Sequence, residues 1–394
     1  MKIAFIGQKG LPASYGGVER HVEELATRLV KAGQEVIVYS RKWYTKVQDD
    51  NYQGVKIKHL PSIHTKHLDT ITHVFISTIH AIFSGAQVIH YHGIGPALLS
   101  WLPRILAPKT LVIVTFHSID RYDQKWGWIA KIILRLAEKS ACKFPHQTIV
   151  ISRGLQKYCL NEFNCETIYI PNGITLPEKQ NDNSEFVKFG LKPQEYLIMV
   201  SRLIPTKGAH ILIEAFNELK RKNYNNEKIQ KLKLAIVGGS VYTNDYVKKL
   251  HLLASHNNDI IFTDFQTDST LHALHSNALA LVHPSFNEGL PLTVLEGMSY
   301  ALPTLVSDIA EHYELITNKN FIFKENNISD LEEKLLSFLN TTPEEKQQAG
   351  IANRNFVTKN YLWDNIVPQV LEVYLKSTTH TNNINNPIKV NIGS

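Results

Sequence analysis

Short apolar runs alternate along the chain with longer segments in which apolar residues recur every three or four positions. Val18, Val22, Leu25 and Leu29 form one such stripe, which predicts a helix ending at Gly33. The apolar runs have strand length and little internal alternation, as expected for parallel strands buried on both faces. They begin near Lys2, Glu35, Val55, Gln87, Thr110, Gln147, Glu166, Tyr196, Lys231, Asp259, Ala278, Thr304 and Asn320. The pattern predicts an α/β protein built on parallel sheets.

A polar segment from Pro171 to Gln194 divides the predicted strands into two sets. At 394 residues the chain is too long for one ordinary core and suits two. We therefore predict a first domain over residues 1–175 and a second over 190–358. A further amphipathic helix is predicted over 361–376, and the Asn- and Thr-rich stretch 377–394 is expected to be disordered.

Composition and charge exclude several classes of function. A hydrophobic content of 43% is that of a globular protein, and a net charge of +6 without a clustered basic module argues against nucleic-acid binding. No stretch reaches the roughly 20 apolar residues of a transmembrane span, and no signal peptide is expected before the first strand. Three cysteines, Cys142, Cys159 and Cys165, lack metal-ligand spacing and fit a reducing cytoplasm. We predict a cytoplasmic protein without a metal site.

Two glutamates eight positions apart, Glu288 and Glu296, are the strongest chemical signal. The apolar run 278–282 predicts a strand, and Gly289 with Pro291 predicts a sharp turn into a helix whose first position suits proline. Glu288 then lies at the carboxyl end of a strand. Eight residues at about 100° each would not place both glutamates on one helix face, so different roles are expected. The alternative is a solvated Glu288 and a helix-surface Glu296.

Backbone amides and two cations could together hold a diphosphate. The amides of Gly289, Leu290 and Leu292 would point out of the predicted helix start. Arg202 and Lys207 lie in the loop after the strand that begins at Tyr196. An arginine can donate bidentate hydrogen bonds to two phosphate oxygens, and a lysine adds a mobile point charge. An exposed basic loop is the alternative.

A glycine-rich loop follows the first strand, and the pair Gly16 and Gly17 opens the next helix. Such a pair lets the backbone approach a phosphate closely. A dinucleotide-binding loop does not fit, because Gly7, Gly10, Gly16 and Gly17 are not spaced as G-x-G-x-x-G and the second strand ends in Arg41 without an acidic residue. An ordinary glycine-rich turn stays open.

One histidine, His117, follows the strand predicted over 110–116 and so lies at a carboxyl end, where open α/β sheets bind ligands. A packing or surface histidine is the alternative. Further on, Pro171-Asn172-Gly173 predicts a turn at the boundary between the domains.

Together these motifs resemble those of the retaining nucleotide-sugar glycosyltransferases of family 4. The resemblance rests on the glutamate pair, on Arg202 to Gly208, on His117 and on the Pro-Asn-Gly turn, and it covers nearly residues 1–376. Residues 10–25 resemble the N-terminal domain of bacterial rhamnosyltransferase-type members. The chain departs from the family at Ser201 and Ser118, where glycine is usual or frequent.

The resemblance implies a GT-B architecture, with two doubly wound Rossmann-like domains facing across a cleft and a C-terminal helix crossing back to the first domain. It implies a retaining hexosyltransferase that needs neither metal nor cofactor. Arg202 and Lys207 would neutralise the leaving diphosphate, Glu296 would hold the ribose, and Glu288 and His117 would contact the transferred sugar. The implied nucleotide-sugar ligands are Gly16, Gly17, Arg202, Lys207, Gly289, Leu290 and Glu296.

The expected partners are a nucleotide sugar and a saccharide acceptor, linked to a polyisoprenyl diphosphate, in the synthesis of a bacterial envelope polysaccharide such as lipopolysaccharide. The basic run 56–67 before the apolar segment 68–83 predicts peripheral contact with an anionic membrane at its cytoplasmic face. A core helix after a solvated loop explains the same residues. Two rival functions remain, a GT-B nucleotide-sugar epimerase and a non-catalytic nucleotide-sugar-binding partner.

Overall fold

The computed structural model describes residues 1–14, 16–45, 49–65, 68–122, 126–178, 184–240 and 243–384. The chain forms two units, the first from Met1–Gly173 with the segment from Trp363 onward and the second from Ile174–Leu362. The ends of the second unit are paired, because Ile174 donates its amide to the carbonyl of Tyr361 and forms a parallel bridge with Leu362. Among the described helices, none combines the length and hydropathy needed to span a bilayer.

The first unit is built on an eight-stranded sheet with the order β3-β4-β2-β1-β5-β6-β7-β8, in which only the β3–β4 pair is antiparallel. Its strands are β1 (Lys2–Ile6), β2 (Glu35–Arg41), β3 (Asn51–Tyr52), β4 (Val55–Leu60), β5 (Val88–His92), β6 (Leu111–Phe116), β7 (Gln147–Val150) and β8 (Ile168–Tyr169). Its helices are α1 (Gly17–Lys31), α2 (Asp69–Phe83), α3 (Ile94–Ala97), α4 (Trp101–Leu106), α5 (Trp128–Lys143), α6 (Arg153–Phe163) and α15 (Trp363–Ile384).

Helix α15 packs on the core of the first unit, as predicted for the last helix. Trp363, Ile366 and Tyr374 belong to the apolar cluster that also contains residues of α1 and β1. The Tyr374 hydroxyl lies 2.7 Å from Nδ1 of His90 in β5. A side chain at Gly173 would overlap the Trp363 indole, so the end of the first segment needs glycine.

The second unit is a six-stranded, all-parallel sheet with the order β11-β10-β9-β12-β13-β14. Its strands are β9 (Tyr196–Val200), β10 (Lys233–Val237), β11 (Ile260–Asp264), β12 (Ala280–His283), β13 (Thr304–Ser307) and β14 (Ile322–Phe323). Its helices are α7 (Ala209–Lys222), α8 (Glu227–Lys231), α9 (Asn244–Ala254), α10 (Asp268–Asn277), α11 (Leu292–Ser299), α12 (Ala310–Tyr313), α13 (Ile328–Asn340) and α14 (Pro343–Asn360).

Each sheet has one point at which the strand order reverses. In the first unit, β2 lies on one side of β1 and β5 on the other, so the strands that follow β5 extend the sheet in the opposite direction. In the second unit, β10 and β12 lie on opposite sides of β9 in the same way. Ligands of open α/β sheets bind at the carboxyl ends of the strands beside such a point. A ligand-binding site is therefore expected at the loops after β1, β5, β9 and β12.

The predicted strands occur in the predicted order, and each begins within two residues of its predicted start. The strand predicted over 278–282 runs from Ala280 to His283, and Pro291 caps α11 instead of occupying its first position. The antiparallel strand β3 has only two residues and was not predicted. The last helix continues through residues 377–384, where disorder was predicted; residues 385–394 lie outside the described chain.

Candidate active site

A partly buried charge pair lies at the reversal point of the second sheet. Lys207, in the loop after β9, places its Nζ 2.5 Å from Oε1 of Glu288, in the loop after β12. His283 Nε2 lies 2.7 Å from the same oxygen and donates to it, because an ionised carboxylate only accepts. The side chains of Lys207 and Glu288 are 14% and 9% exposed. The sequence predicted each of these two residues for a diphosphate or sugar site, and the structure joins them.

Neighbouring charge controls the protonation of the Glu288 carboxyl. Burial by itself raises the pKa of the Glu288 carboxyl, but the Lys207 charge and the hydrogen bond from His283 outweigh it and hold that pKa well below its usual range. His312 lies behind His283, with ring centroids 5.5 Å apart, and burial lowers its pKa to about 3. Glu288 is therefore an ionised acceptor at neutral pH, and His312 is neutral.

Contacts to the backbone hold the loop after β9 against the loop after β12. Gly208 has a φ of 71°, in the left-handed region, and a side chain there would overlap the carbonyl oxygen of Pro284. The Phe286 amide donates to the carbonyl of Thr206 over 2.8 Å, and the Ser285 hydroxyl donates to the same oxygen over 3.2 Å. These contacts position Lys207 opposite Glu288.

The other residues predicted for the donor site are in the same unit. Arg202 is exposed, and its guanidinium makes no hydrogen bond or ion pair within the described chain. Glu296 lies in α11 and is partly exposed. The amides of Gly289 and Leu290, just before α11, donate to no other group among the described residues, so they can hold an anion.

The glycine pair of the first unit has an acidic neighbour that the sequence analysis did not consider. Gly16 caps α1 with a φ of 103°, and a side chain there would overlap the carboxylate of Glu19. The Lys9 amide donates to that carboxylate over 3.3 Å. An anionic group thus already lies at the start of α1, and a phosphate at Gly16 and Gly17 stays a prediction.

His117 lies in a cluster of buried histidines. Its Nε2 is 3.4 Å from Nδ1 of His92 at the end of β5, and its ring centroid is 5.0 Å from that of His21 in α1. Burial lowers the pKa of His21 to about 4 and those of His92 and His117 well below the usual histidine value. All three imidazoles are therefore neutral at pH 7 and can accept a hydrogen bond from a hydroxyl.

The same cluster is the one group in the described chain whose geometry approaches a metal site. His21, His92 and His117 each offer one nitrogen, and these nitrogens lie within 4.8 Å of one another. His21 Nδ1 and His92 Nε2 are buried without hydrogen-bond partners. The sequence analysis singled out His117 alone. The signal for His92 was available, since it also ends a strand beside the reversal point, whereas His21 could be placed only by the fold.

Two doubly wound parallel sheets in two units, with a charged site at a reversal point, are features of the GT-B fold. The second half of the chain matches the family described as Glycosyl transferases group 1 over residues 181–356. The first half matches Glycosyltransferase Family 4 over residues 15–177. The predicted GT-B fold class is confirmed, and the chain has a region similar to Glycosyltransferase Family 4 followed by a region similar to Glycosyl transferases group 1.

The chain is also similar to individual glycosyltransferases and to a solved structure. The chain is 25% identical over 402 residues to an uncharacterized glycosyltransferase of Methanocaldococcus jannaschii, covering 95% of this chain and 98% of the relative. It is 27% identical over 262 residues to the UDP-Gal:alpha-D-GlcNAc-diphosphoundecaprenol alpha-1,3-galactosyltransferase of Escherichia coli, covering 61% and 63% of the two chains. The crystal structure of Anabaena HepE with UDP and glucose has the same fold, with a TM-score of 0.77, 18% identity and coverage of 95% and 100%.

Proposed function

We propose that this glycosyltransferase moves a hexose from a nucleoside-diphosphate sugar to a saccharide carried on a polyisoprenyl diphosphate, with retained anomeric configuration and without a metal ion. The observation that carries the proposal is the partly buried Lys207–Glu288 pair at the reversal point of the second sheet. The relative whose printed substrates are UDP-Gal and a diphosphoundecaprenol-linked sugar supports the choice of donor and acceptor class.

The diphosphate needs positive charge as it leaves. During transfer the bond between C1 of the sugar and the diphosphate oxygen breaks, and C1 bonds to the acceptor hydroxyl, whose proton goes to the departing phosphate oxygen. Lys207, held by Glu288, and the amides of Gly289 and Leu290 are fixed positive groups for that oxygen, and the exposed Arg202 adds a further cation. Preorganised groups of this kind are worth about 3 kcal/mol of barrier each. They remove the need for a divalent ion.

The transferred sugar needs acceptors for its hydroxyls. Glu288 is held ionised and oriented by Lys207 and His283, so it can accept from sugar hydroxyls without reorganising. Glu296 is assigned to the ribose hydroxyls, which do not change during transfer. His117, neutral and at the end of β6 in the first unit, is assigned to the acceptor side of the sugar. No cofactor takes part.

Initial-rate kinetics of two alanine variants test these roles. Glu296→Ala should raise KM for the donor with little change in kcat, because it removes binding that is equal in ground and transition states. Glu288→Ala should lower kcat by about a hundredfold, as expected for a contact that strengthens in the transition state. Glu333→Ala, at an exposed position of α13, is the matched control. Wild-type kinetics in both site variants would overturn the assignment, and donor consumption without any acceptor product would favour an epimerase.

A further inference from the structure

Three histidine side chains of the first unit converge on one point. His21 lies near the start of α1, His92 is the last residue of β5, and His117 directly follows β6. One ring nitrogen of each lies within 4.8 Å of the corresponding nitrogens of the other two. Nε2 of His117 and Nδ1 of His92 are 3.4 Å apart. A tetrahedral ion with metal–nitrogen bonds of about 2.0–2.1 Å holds its nitrogens about 3.3–3.4 Å apart, so this pair already has the spacing of two metal ligands.

The three imidazoles, here called the His21–His92–His117 cluster, have almost no hydrogen bonds. Within the described chain, the approach of His92 to His117 is the one hydrogen-bond contact that any of the six ring nitrogens makes. At 3.4 Å it is longer than the usual range of about 2.7–3.2 Å. No other described side chain or amide donates to these rings, so their lone pairs are available to a metal ion.

The fold holds the rings in place before any ligand binds. Strands β5 and β6 are parallel neighbours, with His92 opposite Thr115. The His92 ring packs edge-on against Phe5, with centroids 4.8 Å apart, and the His21 ring lies 5.4 Å from that of Trp363. All of these side chains are buried. Binding of an ion therefore requires little ordering of the site, which favours affinity.

The donor atoms select the kind of ion. The cluster offers three imidazole nitrogens and no carboxylate, a set that suits Zn²⁺, Cu²⁺ or Ni²⁺, whereas Mg²⁺ and Mn²⁺ prefer oxygen ligands. Only a neutral imidazole can bind a metal, and burial lowers the pKa of His21 to about 4 and the pKa values of His92 and His117 well below the usual histidine value. Three histidines leave the fourth position of a tetrahedral zinc ion open.

The surroundings of the cluster favour reversible binding over a permanently held ion. A histidine that binds a resident metal almost always donates its other ring N–H to an acceptor, and loss of that acceptor typically lowers the affinity about 10–100-fold. Nδ1 of His21 and Nε2 of His92 are buried without any such partner among the described residues. We therefore expect an ion that binds and leaves.

We propose that the His21–His92–His117 cluster binds one Zn²⁺ ion and that this ion competes with the transferred sugar. The binding goes beyond the proposed function, which uses no metal, and it replaces the prediction of a protein without a metal site. The competition rests on the proposed function, because that function assigns His117 to the sugar. An ion on His117 occupies the lone pair that otherwise accepts from a sugar hydroxyl. Zinc is then an inhibitor of the enzyme and not its cofactor.

Isothermal titration of the full chain with Zn²⁺, after treatment with EDTA and removal of the chelator, tests the binding without donor or acceptor. One ion per chain should bind, and Mg²⁺ at the same concentration should not. His21→Asn and His92→Asn should each lower the affinity for Zn²⁺ by at least about a hundredfold, because each removes a ligand and the loss of an outer partner alone costs about 10–100-fold. Two variants are used so that the test survives if one does not fold, and far-UV circular dichroism without metal identifies the folded ones.

Two control variants remove other groups that could bind zinc. His64→Asn removes an exposed imidazole from the basic run 56–67, in which Lys66 and His67 lie outside the described residues. Cys142→Ser removes a half-buried thiol of the first unit. Both should bind Zn²⁺ with wild-type affinity. Weakened binding in a control, together with wild-type affinity in the folded cluster variants, would place the ion elsewhere and overturn the proposal, as would equal binding of Mg²⁺.

Transfer assays separate this proposal from the proposed function. At a free Zn²⁺ concentration tenfold above its Kd, and with the donor well below its KM, wild-type transfer should fall about tenfold, because about ten chains in eleven then carry the ion. In His21→Asn the ratio of the rates with and without Zn²⁺ should stay near one, and equal inhibition of both proteins would contradict competition at the cluster. If wild type binds no Zn²⁺, the proposal is wrong even where transfer in EDTA persists. If Zn²⁺ binds at the cluster but no transfer occurs in EDTA, the metal site is supported and the proposed function is wrong.

Discussion

At the scale of single residues, the partly buried Lys207–Glu288 ion pair of the second unit makes the sharpest prediction. Lys207→Ala leaves the Glu288 charge buried with only the His283 hydrogen bond, and unfolding free energy should fall by about 3 kcal/mol. Adding Glu288→Gln to that variant removes the uncompensated charge and should restore much of the stability, but not turnover. Urea denaturation and initial rates of the two single variants and the double variant measure both effects.

The coupling free energy between Lys207→Ala and Glu288→Gln decides whether the two side chains form a pair. If the losses of stability simply add, the two side chains do not form the pair. If Lys207→Ala alone transfers sugar at the wild-type rate, the lysine does not stabilise the departing diphosphate.

The buried histidines predict how stability depends on pH. His21 has a pKa of about 4 in the folded chain and an ordinary pKa near 6.5 when unfolded, so the unfolded state binds more protons between these values. Stability from this group is present above pH 6.5 and is lost as the pH falls toward 4. Between pH 7 and pH 5 the loss from His21 alone should be about 2 kcal/mol.

Urea denaturation of His21→Asn at several pH values checks this contribution. The variant should lose less stability than wild type over that interval, and His256→Asn, at an exposed position, is the control. Identical pH slopes for wild type and His21→Asn would contradict a buried neutral His21.

The sequence could indicate these residues only partly. Glu288, Lys207 and His117 lie in the segments that follow strands, which is visible in the hydrophobic pattern. The contact of Lys207 with Glu288 spans 81 positions and depends on β9 lying beside β12. Long-range pairing of this kind carries no local signal, and for the same reason the partners of His117 were not predicted.

At the scale of elements, Gly208 tests whether the loop geometry positions the site. Gly208→Ala introduces both a strained φ and an overlap with the Pro284 carbonyl, and should destabilise by about 3 kcal/mol and reduce turnover. Gly190→Ala has a similar φ, 67°, but only an ordinary contact, so it isolates the backbone strain of about 1 kcal/mol. Thermal unfolding and initial rates of both variants separate the effect of the overlap with Pro284 from the effect of backbone strain. Equal losses of stability in the two variants would mean that the loops after β9 and β12 are not held together at Gly208.

Strands and helices could be predicted from the sequence where their burial leaves a pattern of apolar residues. Strands buried on both faces, such as β6 with all six residues buried, read as continuous apolar runs. Strand β3 has exposed or half-buried residues and is two residues long, so it gave no run. In α14 the Thr342 side chain accepts from the Glu345 amide and the Glu345 carboxylate accepts from the Thr342 amide, a reciprocal cap that has a recognisable Thr-x-x-Glu spacing.

At the scale of the whole molecule, two similar architectures are joined in one chain without a sequence repeat. The reversal of strand order at β1–β5 and at β9–β12 gives each unit one ligand-binding edge. The half that matches group 1 carries Arg202 and Lys207, the cations assigned to the diphosphate, and the half that matches family 4 carries neutral histidines. This division of charge is why the donor is assigned to the second unit.

The most direct test is a transfer assay with a panel of nucleoside-diphosphate sugars and a polyisoprenyl-diphosphate-linked saccharide, run in excess EDTA, with the anomeric configuration of the product read by NMR. The proposed mechanism predicts a product that keeps the configuration of the donor, formed without added metal, at rates that fall in Glu288→Ala and Lys207→Ala. An inverted product, or loss of activity in EDTA that manganese or magnesium restores, would contradict it.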